Sequence, residues 1–167
     1  LDRVGLSRWR TYREGHRAWR GTNTTMTVAS TAVSLRSDFE ILSVKERLSL
    51  LLEFSENLPQ LPQRYLEHPD LLERVEECQS PIYLFVEVEN GTVNLFFSAP
   101  PEAPTTRGFA GILHEVLDSQ PVDDVLALDD DFPSTLSLGE AVSPLRLRGM
   151  RAMLARIKRQ VREKSSH

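Results

Sequence analysis

Asn90-Gly91 stands between two apolar runs, and this dipeptide restricts the fold more than any other feature of the chain. A two-residue turn with positive φ at both positions suits Asn-Gly and joins antiparallel strands. Before it, Ile82, Leu84, Val86 and Val88 alternate with Tyr83, Phe85, Glu87 and Glu89. That is a period of two, apolar on both faces early in the run. After it, Thr92 to Phe97 returns as a second strand, with Val93, Leu95 and Phe97 on one face. A lone hairpin is marginal in water, so this pair needs a third strand or a layer of helices. The sequence does not place a third strand.

It does place the helices. Ser43-x-x-Glu46 is a capping box, in which each side chain satisfies an exposed backbone N–H at a helix start. The helix predicted after it carries Val44, Leu48, Leu51, Leu52, Ser55 and Leu58 on one stripe, and Pro59 and Pro62 end it. Pro69 suits the first turn of a short helix with Leu71, Leu72 and Val75 inward. Ser98 to Pro104 holds three prolines and reads as a loop. A helix follows from Thr105 or Thr106 to Leu117, with Phe109, Ile112, Leu113, Val116 and Leu117 as its apolar face. Gly108 in its first turns costs about 1 kcal/mol against alanine, which predicts close packing there. Pro121 to Leu128 reads as another short helix, with Asp123 and Asp124 at its positive end. The last helix has Ser143 as cap and Pro144 in first position. Its stripe is Leu147, Met150, Met153 or Leu154, Ile157 and Val161, and its cations read as a solvated face. The fold class expected is therefore α+β, a small antiparallel sheet on the Asn90-Gly91 hairpin packed against several helices.

Charge is segregated along the chain. Residues 1–25 carry six arginines against Asp2 and Glu14, and residues 143–167 carry eight Lys or Arg against Glu163. Between them lie six basic and 21 acidic residues. The opening segment holds Trp9 and Trp19, has no apolar period and precedes the first methionine, Met26. It reads as a tag remnant, an upstream translated segment or a disordered extension, and Thr22 to Ser37 as a flexible lead-in. The expected division is a disordered or non-native extension over 1–37 and a folded domain over 38–164. No apolar run approaches the roughly 18 residues that span a bilayer, so no membrane segment is expected.

One cysteine, Cys78, excludes an internal disulfide framework and a four-cysteine metal site within the chain. It suits an intracellular, reducing setting, and a cytoplasmic location is expected. There is no Gly-rich phosphate loop, no serine elbow and no histidine pair at ligand spacing, so no cofactor or metal of its own is expected. Asp129-Asp130-Asp131 lacks the alternating ligands, glycine and terminal glutamate of a calcium loop, and reads as a solvated acidic turn. That leaves Cys78 as the one soft nucleophile. It sits in Val75-Glu76-Glu77-Cys78-Gln79-Ser80-Pro81, where a helical acidic segment gives way to the first strand. A lone cysteine is often an inert, buried, apolar side chain. Polar neighbours and a place just before a strand instead fit a loop that presents a side chain on a rigid base.

Three blocks carry a family resemblance. Val75-x-x-Cys78-Gln79-Ser80, followed by Ile82-Tyr83-Leu84-Phe85-Val86, resembles the active-site loop of the SufE family. Glu102-Ala103-Pro104-Thr105-Thr106-Arg107-Gly108-Phe109 is similar to the segment after that family's second strand. Ser143-Pro144-Leu145-Arg146-Leu147-Arg148-Gly149-Met150 is similar to the opening of its last helix. The likeness spans roughly Phe39 to Val161. It departs at Glu77, where the family has glycine, and an adjacent carboxylate disfavours a thiolate.

The resemblance implies a SufE/NifU-like fold and a sulfur acceptor for iron–sulfur cluster assembly. Such a protein takes persulfide sulfur from a cysteine desulfurase (SufS-like) onto Cys78, stimulates that enzyme and delivers sulfur to a scaffold complex (SufBCD-like). It is an accessory to an enzyme rather than one that works alone, and the pyridoxal phosphate belongs to the desulfurase. Arg146 is implied as the cation that stabilises the thiolate or persulfide, with Arg107 as a second candidate. Glu77, Gln79, Ser80 and Arg107 are implied at the partner-binding loop. Tyr83, Phe85 and Phe97 are candidates to line a shielding pocket, or ordinary core. A homodimer stays open.

Two other readings stay open beside it. A single-cysteine thiol redox enzyme would want a depressed thiol pKa, which Glu76 and Glu77 oppose. A nucleic-acid-binding adaptor would use the basic last helix, but the acidic middle opposes it and no aromatics interleave with the charges. No nucleic-acid partner is expected.

Overall fold

The computed structural model describes residues 26–166. Residues 1–25, with Trp9 and Trp19, lie outside the described residues. Six α-helices and a four-stranded antiparallel sheet make an α+β fold among the described residues.

The first helix, α1, runs over Val28–Ile41, inside the stretch expected to be a flexible lead-in. Thr27 caps it, its side chain accepting from the Ser30 N–H at 3.0 Å. The Ser, Thr and Ala composition hides a stripe of Val28, Ala32, Leu35 and Phe39 at helical spacing, and all four are buried. Burial of that stripe on helix α4 (Pro104–Leu117) and on the 3-10 turn Phe132–Leu136 orders a segment whose composition alone reads as loose.

Helix α2 (Val44–Glu56) starts with the capping box, Ser43 and Glu46 each accepting from the other's backbone. Its buried face is Leu50, Leu51, Phe54 and Ser55, turned from the expected stripe, so that Val44 and Leu48 are partly exposed. The turn follows from α4 (Pro104–Leu117). A Cβ at Gly108 would stand 2.5 Å from the Leu51 carbonyl oxygen, and one at Gly111 would meet the Phe54 carbonyl. Two missing side chains one turn apart let the backbones of α2 and α4 close up along Leu51 and Phe54. The expected face of α4, Phe109, Ile112, Leu113, Val116 and Leu117, is fully buried.

Helix α3 is the short Gln63–Leu66, and a 3-10 turn over Pro69–Leu71 replaces the helix expected there, with Leu71 exposed. The sheet order is β1-β2-β3-β4. Strands β2 (Tyr83–Glu89) and β3 (Thr92–Ser98) form the expected hairpin, with Asn90 at φ 52° and Gly91 at φ 75°. The flanking strands are β1 (Glu73–Arg74) and β4 (Gln120–Pro121), of two residues each. Two residues show no periodicity, which is why the sequence could not place them. Leu84, Val86, Val93, Leu95 and Phe97 face the helices and form the core with α4 and the last helix, α6 (Pro144–Ser165). Tyr65 stacks on the other face, its ring 5.0 Å from Phe85 and 4.8 Å from Phe96.

Helix α5 (Val122–Ala127) carries Asp123 and Asp124 in its first turn. Helix α6 (Pro144–Ser165) buries Leu147, Met150, Met153, Leu154, Ile157 and Val161, as its stripe predicted. Its other side is not a plain solvated face. Lys158 is only 6% exposed and donates to the Leu128 carbonyl and, at 2.7 Å, to Asp130. Arg151 pairs with Asp131 at 3.5 Å. The acidic turn 129–131 is thus exposed to water, as expected, and also tied to α6. Near the helix end, Gln160 accepts from the Val86 N–H at 3.0 Å, and Lys164 donates to the Val86 carbonyl. Beyond the two residues of β1, these side chains occupy the open edge of β2. Among the described residues, no helix is long and apolar enough to cross a membrane.

Candidate functional site

Cys78 lies at the tip of the connection between β1 and β2. The Val75 N–H donates to the Ile82 carbonyl at 2.9 Å and closes the base of this loop. Within it, the Cys78 N–H turns back to the Val75 carbonyl at 3.1 Å, and Val75 itself is fully buried. A buried valine on one side and a strand on the other make a rigid base for a short, polar tip.

The sulfur points down onto helix α6. A Cβ placed on Gly149 would stand 2.8 Å from Cys78 Sγ, closer than a real contact allows. Gly149 is therefore the socket for the sulfur, and Cys78 is 7% exposed. Beside it opens a cavity of about 290 Å³. A water in the liquid takes about 30 Å³, so the space holds several atoms beyond Sγ. Glu77, Cys78, Gln79 and Ser80 form one wall. The start of α4, at Thr105 and Thr106, forms a second, and Leu145, Arg146 and Gly149 at the start of α6 form the third.

Two helix N-termini thus border one cavity. Ser143 caps α6, accepting from the Arg146 N–H at 3.3 Å, while Ala103 gives α4 no side-chain cap. Helix starts carry partial positive charge and exposed N–H groups. Arg146 is exposed, and its guanidinium has no hydrogen-bond or ion-pair partner among the described residues.

The electrostatics of the sulfur run the other way in this closed form. Burial pushes the Cys78 thiol up to about 11 from an ordinary 9.0, and the Glu77 carboxylate adds to the push. Arg156 pulls the thiol down in part. Glu77 does not stand free. Its carboxylate is 2.7 Å from Arg156 Nη1, on α6 two turns beyond Gly149, and the Arg156 Nε is 3.4 Å from Glu73 of β1. Its own backbone N–H and Arg156 hold the Glu77 carboxyl below its ordinary value, against burial. In this closed form the site is therefore a protonated, shielded thiol.

The sequence-derived residues divide. Cys78, Arg146, Glu77, Gln79 and Ser80 meet at this cavity. Arg107 does not line it. Its Nε donates to the Ser55 carbonyl at 2.9 Å and its Nη1 to the Ala99 carbonyl at 2.7 Å, so it ties α2 and the end of β3 to α4. Tyr83, Phe85 and Phe97 do not line it either; Phe97 is core and Phe85 stacks under Tyr65. Arg156 escaped the sequence reading, which put it on a solvated face. Its spacing of seven from Gly149 places both on one side of α6, the signal that could have found it.

The profile of the SufE family, described as an Fe-S metabolism associated domain, matches residues 34–161. Uncharacterized SufE-like proteins from two strains of Mycobacterium tuberculosis are 54% identical over 128 residues, covering 76% of this chain and 88% of theirs. A chloroplastic/mitochondrial SufE-like protein of Arabidopsis thaliana is 28% identical over 112 residues, 66% of this chain and 29% of that one. The solution structure of a hypothetical protein from Thermus thermophilus superposes with a TM-score of 0.72 at 36% identity, covering 82% of this chain and 97% of that chain.

Proposed function

Because this chain belongs to the SufE family, whose members serve iron–sulfur metabolism, we propose that it is a persulfide carrier with Cys78 as the acceptor. The Cys78 thiolate attacks the outer sulfur of a persulfide on a cysteine desulfurase. The partner's S–S bond breaks, a new S–S bond forms on Cys78, and the desulfurase cysteine leaves as a thiolate. This is the geometry of thiol–disulfide exchange, and it needs one cysteine. Removing the persulfide frees the desulfurase for its next turnover, which is how the carrier stimulates it. The sulfur then passes to a SufBCD-like scaffold. The pyridoxal phosphate that cleaves the C–S bond is the SufS-like partner's. A thiol that must stay reduced suits a compartment such as the cytoplasm.

The observation that carries this reading is the seating of Sγ on Gly149, beside a cavity that also holds Arg146 and two helix starts. The cavity has room for one more sulfur atom, and its cation and N–H groups favour an anion. The closed loop keeps a persulfide from reductants, and a shift of that short tip presents it to a partner.

The rival readings lose support at the same residues. A thiol redox enzyme needs a lowered thiol pKa, and Cys78 is pushed up. A nucleic-acid adaptor needs its cations free along the last helix, and four of the eight, Arg151, Arg156, Lys158 and Arg159, are engaged by acidic residues.

The test is to mix the protein with a purified desulfurase and cysteine and weigh it intact. The expected result is a gain of one sulfur mass that is absent in Cys78→Ser. No gain in the unaltered protein, with an active desulfurase, removes the carrier reading.

A further inference from the structure

Helix α6 holds neighbouring loop residues at two points. Cys78 Sγ sits on Gly149, and Glu77 reaches Arg156 at 2.7 Å. Seven residues of helix separate the two anchors, about 10 Å along its axis and on the same side. Arg156 is well placed to act as a fixed post. Its side chain is only 19% exposed, and its Nε is braced by Glu73 at 3.4 Å. Glu73 is in turn gripped by Arg159. The Glu77 side chain is 39% exposed, so this ion pair lies at the edge of solvent, where a docking protein can reach it.

The geometry points to Glu77 and Arg156 as a latch that keeps the Cys78 loop seated on α6, and to Arg156 as the positioning residue for the sulfur. The proposal rests on the carrier reading for its purpose and on the ion pair for its substance. Where glycine precedes the cysteine, the loop has nothing to latch. Here Glu77 supplies a grip, and a partner that offers its own cation to Glu77, or a carboxylate to Arg156, releases it. The loop then opens where a desulfurase is docked and stays shut elsewhere. When it opens, the Glu77 carboxylate moves away from Arg156, whose guanidinium keeps Glu73 as its partner.

The experiment reads loop opening without using sulfur transfer. Full-length chain in a Cys78→Ser background, where no thiol titrates, is followed by amide hydrogen exchange over residues 75–82. Glu77→Gln is expected to speed exchange at the loop tip about two- to fivefold, the range for one ion pair at the edge of solvent, while the strands stay protected. Arg156→Gln is expected to do the same, and the double substitution no more than the faster single one, because both remove one interaction. Arg156→Lys restores part of the protection. In the cysteine-containing chain, iodoacetamide is expected to label Glu77→Gln faster by a similar factor, with no desulfurase present. Unchanged exchange in Glu77→Gln, or additive effects in the double variant, overturns the latch. If Arg156→Gln does not fold, Glu77→Gln decides alone. A carrier that gains sulfur but shows unchanged exchange loses only the latch; a latch that opens in a chain gaining no sulfur loses only the carrier reading.

Discussion

Cys78 Sγ lies so close over the backbone of Gly149 that a methyl group on that glycine would stand 2.8 Å from it. The last of the three sequence blocks and the first therefore meet at one atom. That contact makes the position of the sulfur a property of helix packing as much as of the loop.

Gly149→Ala is expected to unseat the loop. Overpacking a filled site costs about 1–3 kcal/mol, and each kcal/mol lowers the melting temperature of a domain of this size by about 3 °C. Iodoacetamide labelling of Cys78 is expected to quicken alongside the drop. A lower melting point with unchanged labelling would mean the strain is absorbed in α6 and the loop stays put.

Arg146→Ala is expected to behave oppositely. The residue is exposed and unpaired among the described residues, so stability should change by no more than about 0.5 kcal/mol. Sulfur acceptance from a desulfurase should slow by about tenfold, the scale of one charge-assisted hydrogen bond. Single-turnover rates on the intact protein measure this, and an unaltered rate would take Arg146 out of the site.

Arg107→Ala is expected to be a stability variant. It strips two charge-assisted hydrogen bonds from the Ser55 and Ala99 carbonyls, a loss of about 3–6 kcal/mol. Urea unfolding reads the loss, and the folded fraction should accept sulfur at the unaltered rate. A stable but inactive variant would move Arg107 back to the partner-binding surface.

The pH dependence of the seated loop has a definite sign. The Cys78 thiol is raised in the folded state, to about 11 from 9.0, chiefly by burial. Its contribution is complete below pH 9.0 and is lost as pH rises toward and past 11, because the thiolate is favoured outside the socket. The labelling profile of Cys78 should therefore have its midpoint above 9.0, and the alkaline loss of stability should be smaller in Cys78→Ser. A midpoint below that of an ordinary thiol would contradict the closed site.

Local signals accounted for much of the fold. The Asn90-Gly91 turn, the Ser43–Glu46 box, Ser143-Pro144 and the α4 and α6 stripes depend on neighbours within a turn, and all stand where the spacing put them. Features that depend on distant partners did not show. The strands β1 and β4 are too short to carry a pattern, and α1 is ordered by packing its stripe onto elements far along the chain. The same division holds at the site. Cys78 and Arg146 came from motif blocks, whereas the role of Arg156 depends on Glu77 reaching across to another element. Arg107 sat within a block, yet its bonds go to backbone carbonyls of α2 and of the chain after β3.

Gln160 and Lys164 satisfy both backbone groups of Val86 where β1 has already ended. An unpaired strand margin is a template on which other chains can add, and proteins guard such margins. Here two side chains from the closing helix stand in for the missing stretch of neighbour. Under the proposed carrier role, which has the chain meet more than one protein, this guards against recruiting them, or copies of itself, by cross-strand adhesion. Its encounters are steered to the cysteine tip, and loss of both side chains should appear as self-association in light scattering.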